Sequence, residues 1–283
     1  MPASNYRVRT MTEAEVALAI DWAAAEGWNP GWRDAQCFRA ADPDGFLIGL
    51  LDDEPIATIS VVRYGAAVGF LGLYIVKPDY RGRGHGLALW DAGMAFLGER
   101  TIGLDGVVAQ QANYRRSGFE LAYRNARYEG TAGQTARRDP SVALLASFDF
   151  SAVSEYDGAC FGTDRSEFLE CWIRQPDTAA LGVRRGDRLA GYGVIRAARV
   201  GHKVGPLFAD DPGVADALLG GLIATIPPDG AFYLDVPEVN PAAVDLAERH
   251  KMTVVFETAR MYRGGAPALP VDRIFGVTSF ELG

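Results

Sequence analysis

The alternation of apolar and polar positions changes period many times along this chain, and the changes run through the same order twice. Tyr6–Arg9 alternates with period two, as a strand does. Thr12 followed by Glu15 forms a capping box, and the helix it opens runs to about Glu26 and stops at Gly27. A second short helix reaches about Ala40 after Trp28-Asn29-Pro30-Gly31-Trp32. Strands follow at about 45–51, 56–64 and 67–77, divided by Asp52-Asp53-Glu54-Pro55 and Gly65-Ala66-Ala67. Leu87, Trp90, Met94 and Leu97 then recur at helical spacing and predict a core-facing stripe. A strand at 102–108, a short helix at 111–117 and a strand at 119–128 complete the order βααβββαβαβ.

The second half repeats it. Leu144–Phe148 reads as a strand, 151–160 and 165–174 as helices, and 179–184, 189–196 and 199–208 as strands. Ala215, Leu218, Leu222 and Ile226 form a second helical stripe, followed by strand Phe232–Val236, helix Pro241–His250 and strand Thr253–Tyr262. Traces of duplication survive in the residues. Leu104-Asp105 matches Leu234-Asp235, and Ala126-Arg127 matches Ala259-Arg260, at an offset of roughly 130 residues. The expected organisation is a domain over 1–130, a polar linker over 131–140 and a second domain over 141–283.

The strongest chemical signal is Ile75-Val76-Lys77-Pro78-Asp79-Tyr80-Arg81-Gly82-Arg83-Gly84-His85-Gly86, an apolar strand that turns through three glycines into a helix. Glycines let successive backbone N–H groups face one concavity, and a helix N-terminus adds its dipole; together they bind phosphate. Arg81 and Arg83 add positive charge, and His85 offers its backbone N–H. No Lys-Ser/Thr pair follows, so this is not a P-loop, and three preceding strands exclude a dinucleotide-binding first turn.

Arg81, Gly84 and Gly86, with Tyr114-Arg115-Arg116-Ser117-Gly118-Phe119 downstream, resemble the GNAT superfamily of N-acetyltransferases. The likeness covers residues 5–130, and the whole chain resembles a tandem subfamily with a diverged second domain. It implies an α/β (α+β) fold of two GNAT-like domains, each a mixed, mostly antiparallel twisted sheet flanked by helices. It implies acetyl-CoA as cosubstrate, with its pyrophosphate on Arg81–Gly86, its pantetheine beside Tyr74, Ile75 and Val76, and Asn113 as a further contact. Tyr114 would be the general acid for the leaving thiolate. The fourth strand lacks the carboxylate that many relatives use as base; Asp105 is one substitute, with an ordered water another. Trp28, Asn29 and Asp34 fall where the acceptor site would lie. The matching loop in the second half, Asp211-Pro212-Gly213-Val214-Ala215-Asp216, has lost two glycines and gained carboxylates, so that half is expected not to bind CoA.

The implied activity is direct acetyl transfer from acetyl-CoA to an amine of a small acceptor. A non-catalytic acyl-CoA sensor or scaffold is the alternative. Composition narrows the remaining choices. Of 283 residues, 48% are hydrophobic and 23% charged, as in a soluble globular protein. A net charge of −8 disfavours nucleic acid as a partner. The longest uncharged run, Tyr64–Val76, is too short to span a membrane. Cys37, Cys160 and Cys171 form no CxxC pair, which predicts reduced structural thiols, a cytoplasmic location and no metal site. The last strand is a candidate surface for a homodimer.

Overall fold

A computed structural model describes residues 5–133 and 139–283, so part of the expected linker lies outside the described residues. The first half contains β1 (Tyr6–Thr10), α1 (Glu13–Ala25), α2 (Asp34–Ala41), β2 (Phe46–Leu51), β3 (Glu54–Tyr64), β4 (Val68–Val76), α3 (His85–Leu97), β5 (Thr101–Val107), α4 (Gln111–Arg116) and β6 (Glu120–Thr131). The second contains β7 (Val142–Leu144), α5 (Phe150–Phe161), α6 (Ser166–Ile173), β8 (Thr178–Arg185), β9 (Arg188–Ala197), β10 (His202–Ala209), α7 (Pro212–Ile223), β11 (Ala231–Pro237), α8 (Pro241–Arg249) and β12 (Thr253–Arg263). A short β13 (Ile274–Gly276) follows. The expected order therefore appears twice. Thr12 and Glu15 make the reciprocal capping box at the start of α1. The strand expected at 144–148 is shifted: β7 ends at Leu144, and Leu145–Ser147 is a 3-10 turn.

All strands join one sheet, in the order β1-β2-β3-β4-β5-β12-β6-β11-β10-β9-β8-β7, with β13 beside β10. The path is symmetric under exchange of the two halves, and β12 and β6 pair antiparallel at its centre. The halves have thus traded their last strands. β12 pairs with β5 of the first half, from Thr258↔Val107 to Arg263↔Ile102. β6 pairs with β11 of the second, from Ala231↔Thr131 to Pro237↔Asn125. The boundaries at 130 and 141 separate the repeats along the chain, but neither span closes its own sheet. The exchange also corrects the dimer expectation for the last strand, because both edges of β12 are already paired.

The exchanged strands carry buried charge. Arg260 on β12 clamps Asp105 on β5 with two hydrogen bonds, 2.7 and 2.6 Å. Arg127 on β6 clamps Asp235 on β11 in the same way, at 2.6 and 2.8 Å. These are the two residue pairs that mark the duplication in the sequence; in space each Asp is held by the Arg of the other repeat. Buried ions are tolerated only when paired, so each exchanged strand is tied to its host.

Packing is likewise shared. Ile20 and Phe38 from α1 and α2 sit in one apolar cluster with Phe168 and Trp172 from α6. Cys37 on α2 and Cys171 on α6 form a disulfide across 134 residues, which corrects the expectation of reduced thiols; Cys160 is free and buried. Two further clusters lie beneath the helices of one half each and include the strand received from the other: Ala259 and Met261 of β12 pack beneath α3, and Ala126 and Tyr128 of β6 pack beneath α7 and α8. The stripe expected on α7 is buried throughout. On α3, Trp90 and Leu97 are buried, but Leu87 is 64% exposed, so the stripe stops short of the first turn.

Replacing Arg260 with Leu leaves Asp105 buried without its counter-ion. We expect a loss of about 3–5 kcal/mol in urea unfolding. A loss below about 1 kcal/mol would show that the pair does not hold β12 in place.

Candidate active site

β4 and β5 run parallel only from Val68↔Thr101 to Leu71↔Leu104. Beyond Leu71 they part. The divergence begins at an irregularity in β4: pairing with β3 slips between Thr58↔Ile75 and Ser60↔Gly72. Leu73 there takes a positive φ of 45°, a strained value for a leucine, and its carbonyl accepts the buried Thr58 hydroxyl at 2.9 Å. The opening leads into a cavity of about 1040 Å³.

One end of the cavity is the glycine loop. Gly82 and Gly84 have φ of 73° and 86°, which other residues adopt only under strain. Gly86 is required for a different reason: a Cβ there would stand 2.7 Å from the Tyr74 hydroxyl. Gly84 is the N-cap of α3 and offers no side-chain cap, so the first-turn N–H groups are free for an anion. Arg81 is held over the loop by a 2.8 Å bond from its Nε to the Val76 carbonyl and by an ion pair with Glu26.

The other end holds aromatic rings and polar groups. Tyr114 on α4 stacks on Trp90 with ring centroids 5.8 Å apart, and Trp90 meets Tyr74 edge-on at 5.4 Å. Gly106 makes room for Tyr114, since a Cβ there would come within 2.2 Å of its ring. Burial, with a smaller contribution from Tyr74, pushes the Tyr114 phenol up to about 12, so it carries its proton at neutral pH. The wall facing these rings comes from the second half: Phe256 and Thr258 on β12, and Phe280 and Glu281 in the C-terminal tail.

Family models match this chain twice: residues 12–119 as an acetyltransferase (GNAT) family and residues 153–276 as an acetyltransferase (GNAT) domain. The chain belongs to the GNAT acetyltransferase family. It is 30% identical over 269 residues to the holothin acyltransferase of a Pseudoalteromonas species, covering 95% of this chain and 92% of that protein. It is 26% identical to the uncharacterised N-acetyltransferase YitH of Bacillus subtilis, covering 76% of this chain and 78% of that protein. A crystal structure from Pyrococcus horikoshii, described as a candidate acetyltransferase, superposes with a TM-score of 0.83 at 26% identity, over 98% of this chain and 96% of that one. A tandem GNAT protein from the clavulanic acid biosynthesis pathway shares the fold, with a TM-score of 0.63 at 12% identity, over 93% of this chain and all of that one.

Of the residues expected to contact the cosubstrate in this GNAT protein, Tyr74, Ile75, Val76, Arg81, Gly82, Gly84, Gly86 and Asn113 line the cavity, whereas Arg83 and His85 do not. The Arg83 guanidinium lies over the Tyr80 ring, 5.7 Å from its centroid, and His85 packs on Tyr6. Arg116, which sequence reasoning passed over, also lines the cavity and donates to the Asn113 side-chain oxygen.

The expected acceptor residues divide. Trp28 lines the cavity, and its carbonyl accepts from Arg127 at 2.7 Å. Asn29 and Asp34 are elsewhere. Asn29 exchanges two hydrogen bonds with the backbone of Val200 in the second half. Asp34 is fully buried, accepts from Arg196 at 2.8 and 3.1 Å and accepts the Gly31 N–H at 2.7 Å. Burial would lift its carboxyl, but Arg196, with Lys203 and the Gly31 N–H, outweighs burial and the net direction is down. The segment after α1 is therefore fastened to the second half, with Glu26 and Trp28 turned to the cavity. Asp105 reaches the cavity wall, yet its carboxylate is occupied by Arg260 and by Asn125 at 2.7 Å. That geometry suits holding β12 to β5 better than receiving a proton.

The equivalent place in the second half is filled by the chain itself. The Asp211 carboxylate caps α7, accepting from Gly213 N at 2.9 Å and Val214 N at 3.1 Å. Asp210 beside it pairs with Arg188 and Arg273. β10 and β11 also part after Val204↔Leu234, and β13 pairs with β10 at Leu207 and Phe208 in that wedge. The Val277 N–H closes the other side on the Asp235 carbonyl at 2.9 Å.

Among the described residues no cluster of His, Cys, Asp or Glu could hold a metal ion, and no helix is long and apolar enough to cross a membrane. Gly106→Ala should force Tyr114 from its place and cost about 1–3 kcal/mol in urea unfolding. Unchanged stability would mean that the ring has a second position of equal energy.

Proposed function

We propose that this GNAT protein transfers an acetyl group from acetyl-CoA to the amine of a small acceptor. The observation that carries the reading is one continuous cavity. It joins an uncapped helix N-terminus beside Arg81 to the opened edge of β4 and to a protonated phenol at Tyr114. An anion-binding end, an extended edge for an amide-containing arm and a proton donor suit the three parts of a CoA thioester.

In this reading the pyrophosphate lies against the N–H groups of Gly82–Gly86, with Arg81 and Arg116 supplying charge. The pantetheine arm lies along Gly72–Val76, where β4 has left β5. The amine lone pair attacks the thioester carbonyl from the side of Phe256, Thr258 and Phe280. Backbone N–H groups near Tyr74 stabilise the oxyanion. On collapse, Tyr114 gives its proton to the departing sulfur. The holothin acyltransferase, similar over nearly its whole length, supports a small-molecule acceptor.

The second half does not take a second acetyl-CoA in this reading. The Asp211 carboxylate already uses the N–H groups that a phosphate would need, and a phosphate beside Asp210 and Asp211 meets like charge. Calorimetry with the full chain should therefore give one acetyl-CoA per chain; two sites of similar affinity would overturn this part.

Thiol release from acetyl-CoA with a panel of primary amines tests the activity. Tyr114→Phe should lower kcat on the order of 10²-fold or more while the acetyl-CoA Kd stays within about twofold. An unchanged kcat would remove Tyr114 from the reaction, and binding without thiol release on any amine would favour a sensor or scaffold.

A further inference from the structure

The C-terminal tail crosses from the filled site of the second half to the open cavity of the first. It leaves β13, binds Asp235 through the Val277 N–H and takes a 2.8 Å bond from Arg165 to the Thr278 hydroxyl. It then lies against β4. A Cβ on Gly72 would stand 2.2 Å from the Glu281 carbonyl oxygen, and the Tyr64 hydroxyl donates to the Leu282 carbonyl at 3.0 Å. Glycine at 72 thus lets the tail backbone touch β4 at the point where β4 turns from β5.

This contact sets Glu281 in the cavity wall. The residue is only 3% exposed, and its Oε2 is buried with no hydrogen-bond partner among the described residues. A carboxylate oxygen in that condition is rare unless something else binds it. The Thr258 hydroxyl, in the same wall, is also buried and unpartnered. Arg127 and Lys203 are near enough to attract Glu281, but each lies closer to Asp235, at 2.6 and 3.6 Å. The carboxylate is therefore held near positive charge without being consumed by it. Asp105, by contrast, is fully engaged by Arg260 and Asn125.

We propose that Glu281 is the proton acceptor for the incoming amine, and that the acceptors of this enzyme are amines that arrive as ammonium ions. The proposal rests on the acyl-transfer reading above. The ammonium N–H bond breaks and its proton goes to the Glu281 carboxylate, leaving the nitrogen lone pair free. The C–N bond forms at the thioester carbonyl; the C–S bond then breaks. Tyr114 gives its proton to sulfur and takes the second proton from nitrogen, and Glu281 returns its proton to solvent. The Thr258 hydroxyl is available to hold the ammonium or its acyl product.

The test compares two nucleophiles on the full chain. Propylamine is almost wholly protonated near neutral pH, whereas hydroxylamine is mostly neutral and has no ammonium proton to lose before it attacks. Glu281→Gln should lower kcat/KM for propylamine on the order of 10²-fold while hydroxylamine stays within about threefold. Acetyl-CoA affinity and melting temperature should be unchanged, because the observed tail anchors are backbone groups and other side chains. Equal loss with both nucleophiles, or no loss with either, overturns the role of Glu281. If the Gln variant fails to fold, Glu281→Asp gives the same discrimination through a retracted carboxylate. Loss confined to propylamine supports the assignment; loss with both overturns it. Wild-type protein that binds acetyl-CoA and releases no thiol with either amine overturns the acyl-transfer reading, and this proposal with it.

Discussion

Two buried ion pairs, Asp105 with Arg260 and Asp235 with Arg127, hold each exchanged strand to the strand beside it. β5 and β11 each carry, two residues before their ends, an aspartate that folding removes from water. Neither repeat supplies the arginine for its own aspartate; each borrows it from the last strand of the other. A strand returned to its own repeat would bring a similar backbone and an equivalent arginine, so neither the ladder nor the charge by itself chooses the exchanged arrangement. The charges sit inside the exchanged arrangement, where an unmatched partner is costly. The continuous sheet, the shared helical core around Phe38 and Trp172, and the second-half wall of the cavity all accompany that pairing.

The two repeats show how one fold position can be kept or closed. Both have a strand that leaves its parallel neighbour and a helix that begins at the gap. In the first, Gly84 leaves the helix start uncapped and the gap empties into a cavity. In the second, Asp211 supplies its own anion to the helix and β13 lies in the wedge. The closure uses the same physics as binding: N–H groups that attract a phosphate are satisfied equally well by a neighbouring carboxylate. What the second repeat gives up in binding it returns as structure, by bringing the tail to β4.

Much of the fold was legible in local sequence, because periodicity and caps are local properties. The doubled order of elements, the Thr12–Glu15 box and the glycine loop need only neighbouring residues to be read. The strand exchange needs more. β6 and β12 have the same alternation whichever strand flanks them, so pattern alone favours the nearer partner. Asp105, Arg127, Asp235 and Arg260 were visible as traces of duplication, but a repeat aligns equivalent residues and does not tell which ones touch. Cys37 and Cys171 are separated by one repeat length, and only the meeting of α2 with α6 turns that spacing into proximity. Leu87 fitted the core stripe by spacing; its place in the first turn, beyond the sheet, leaves it at the cavity mouth. Glu281 had no signal, since it lies in an aperiodic tail whose path is decided by a glycine more than two hundred residues earlier.

The traded strands also bear on synthesis. A ribosome delivers the chain from its first residue, and β5 emerges long before Arg263 does. Through that interval β5 lacks its permanent neighbour, and β6 has neither β11 nor β12 to cover it. Unpaired edges of this kind are where nascent chains pair wrongly or associate with one another. The earliest-made repeat thus waits for a strand made near the end of the second, and its stretch of exposed sheet is a reason for such a protein to be guarded until β12 is free.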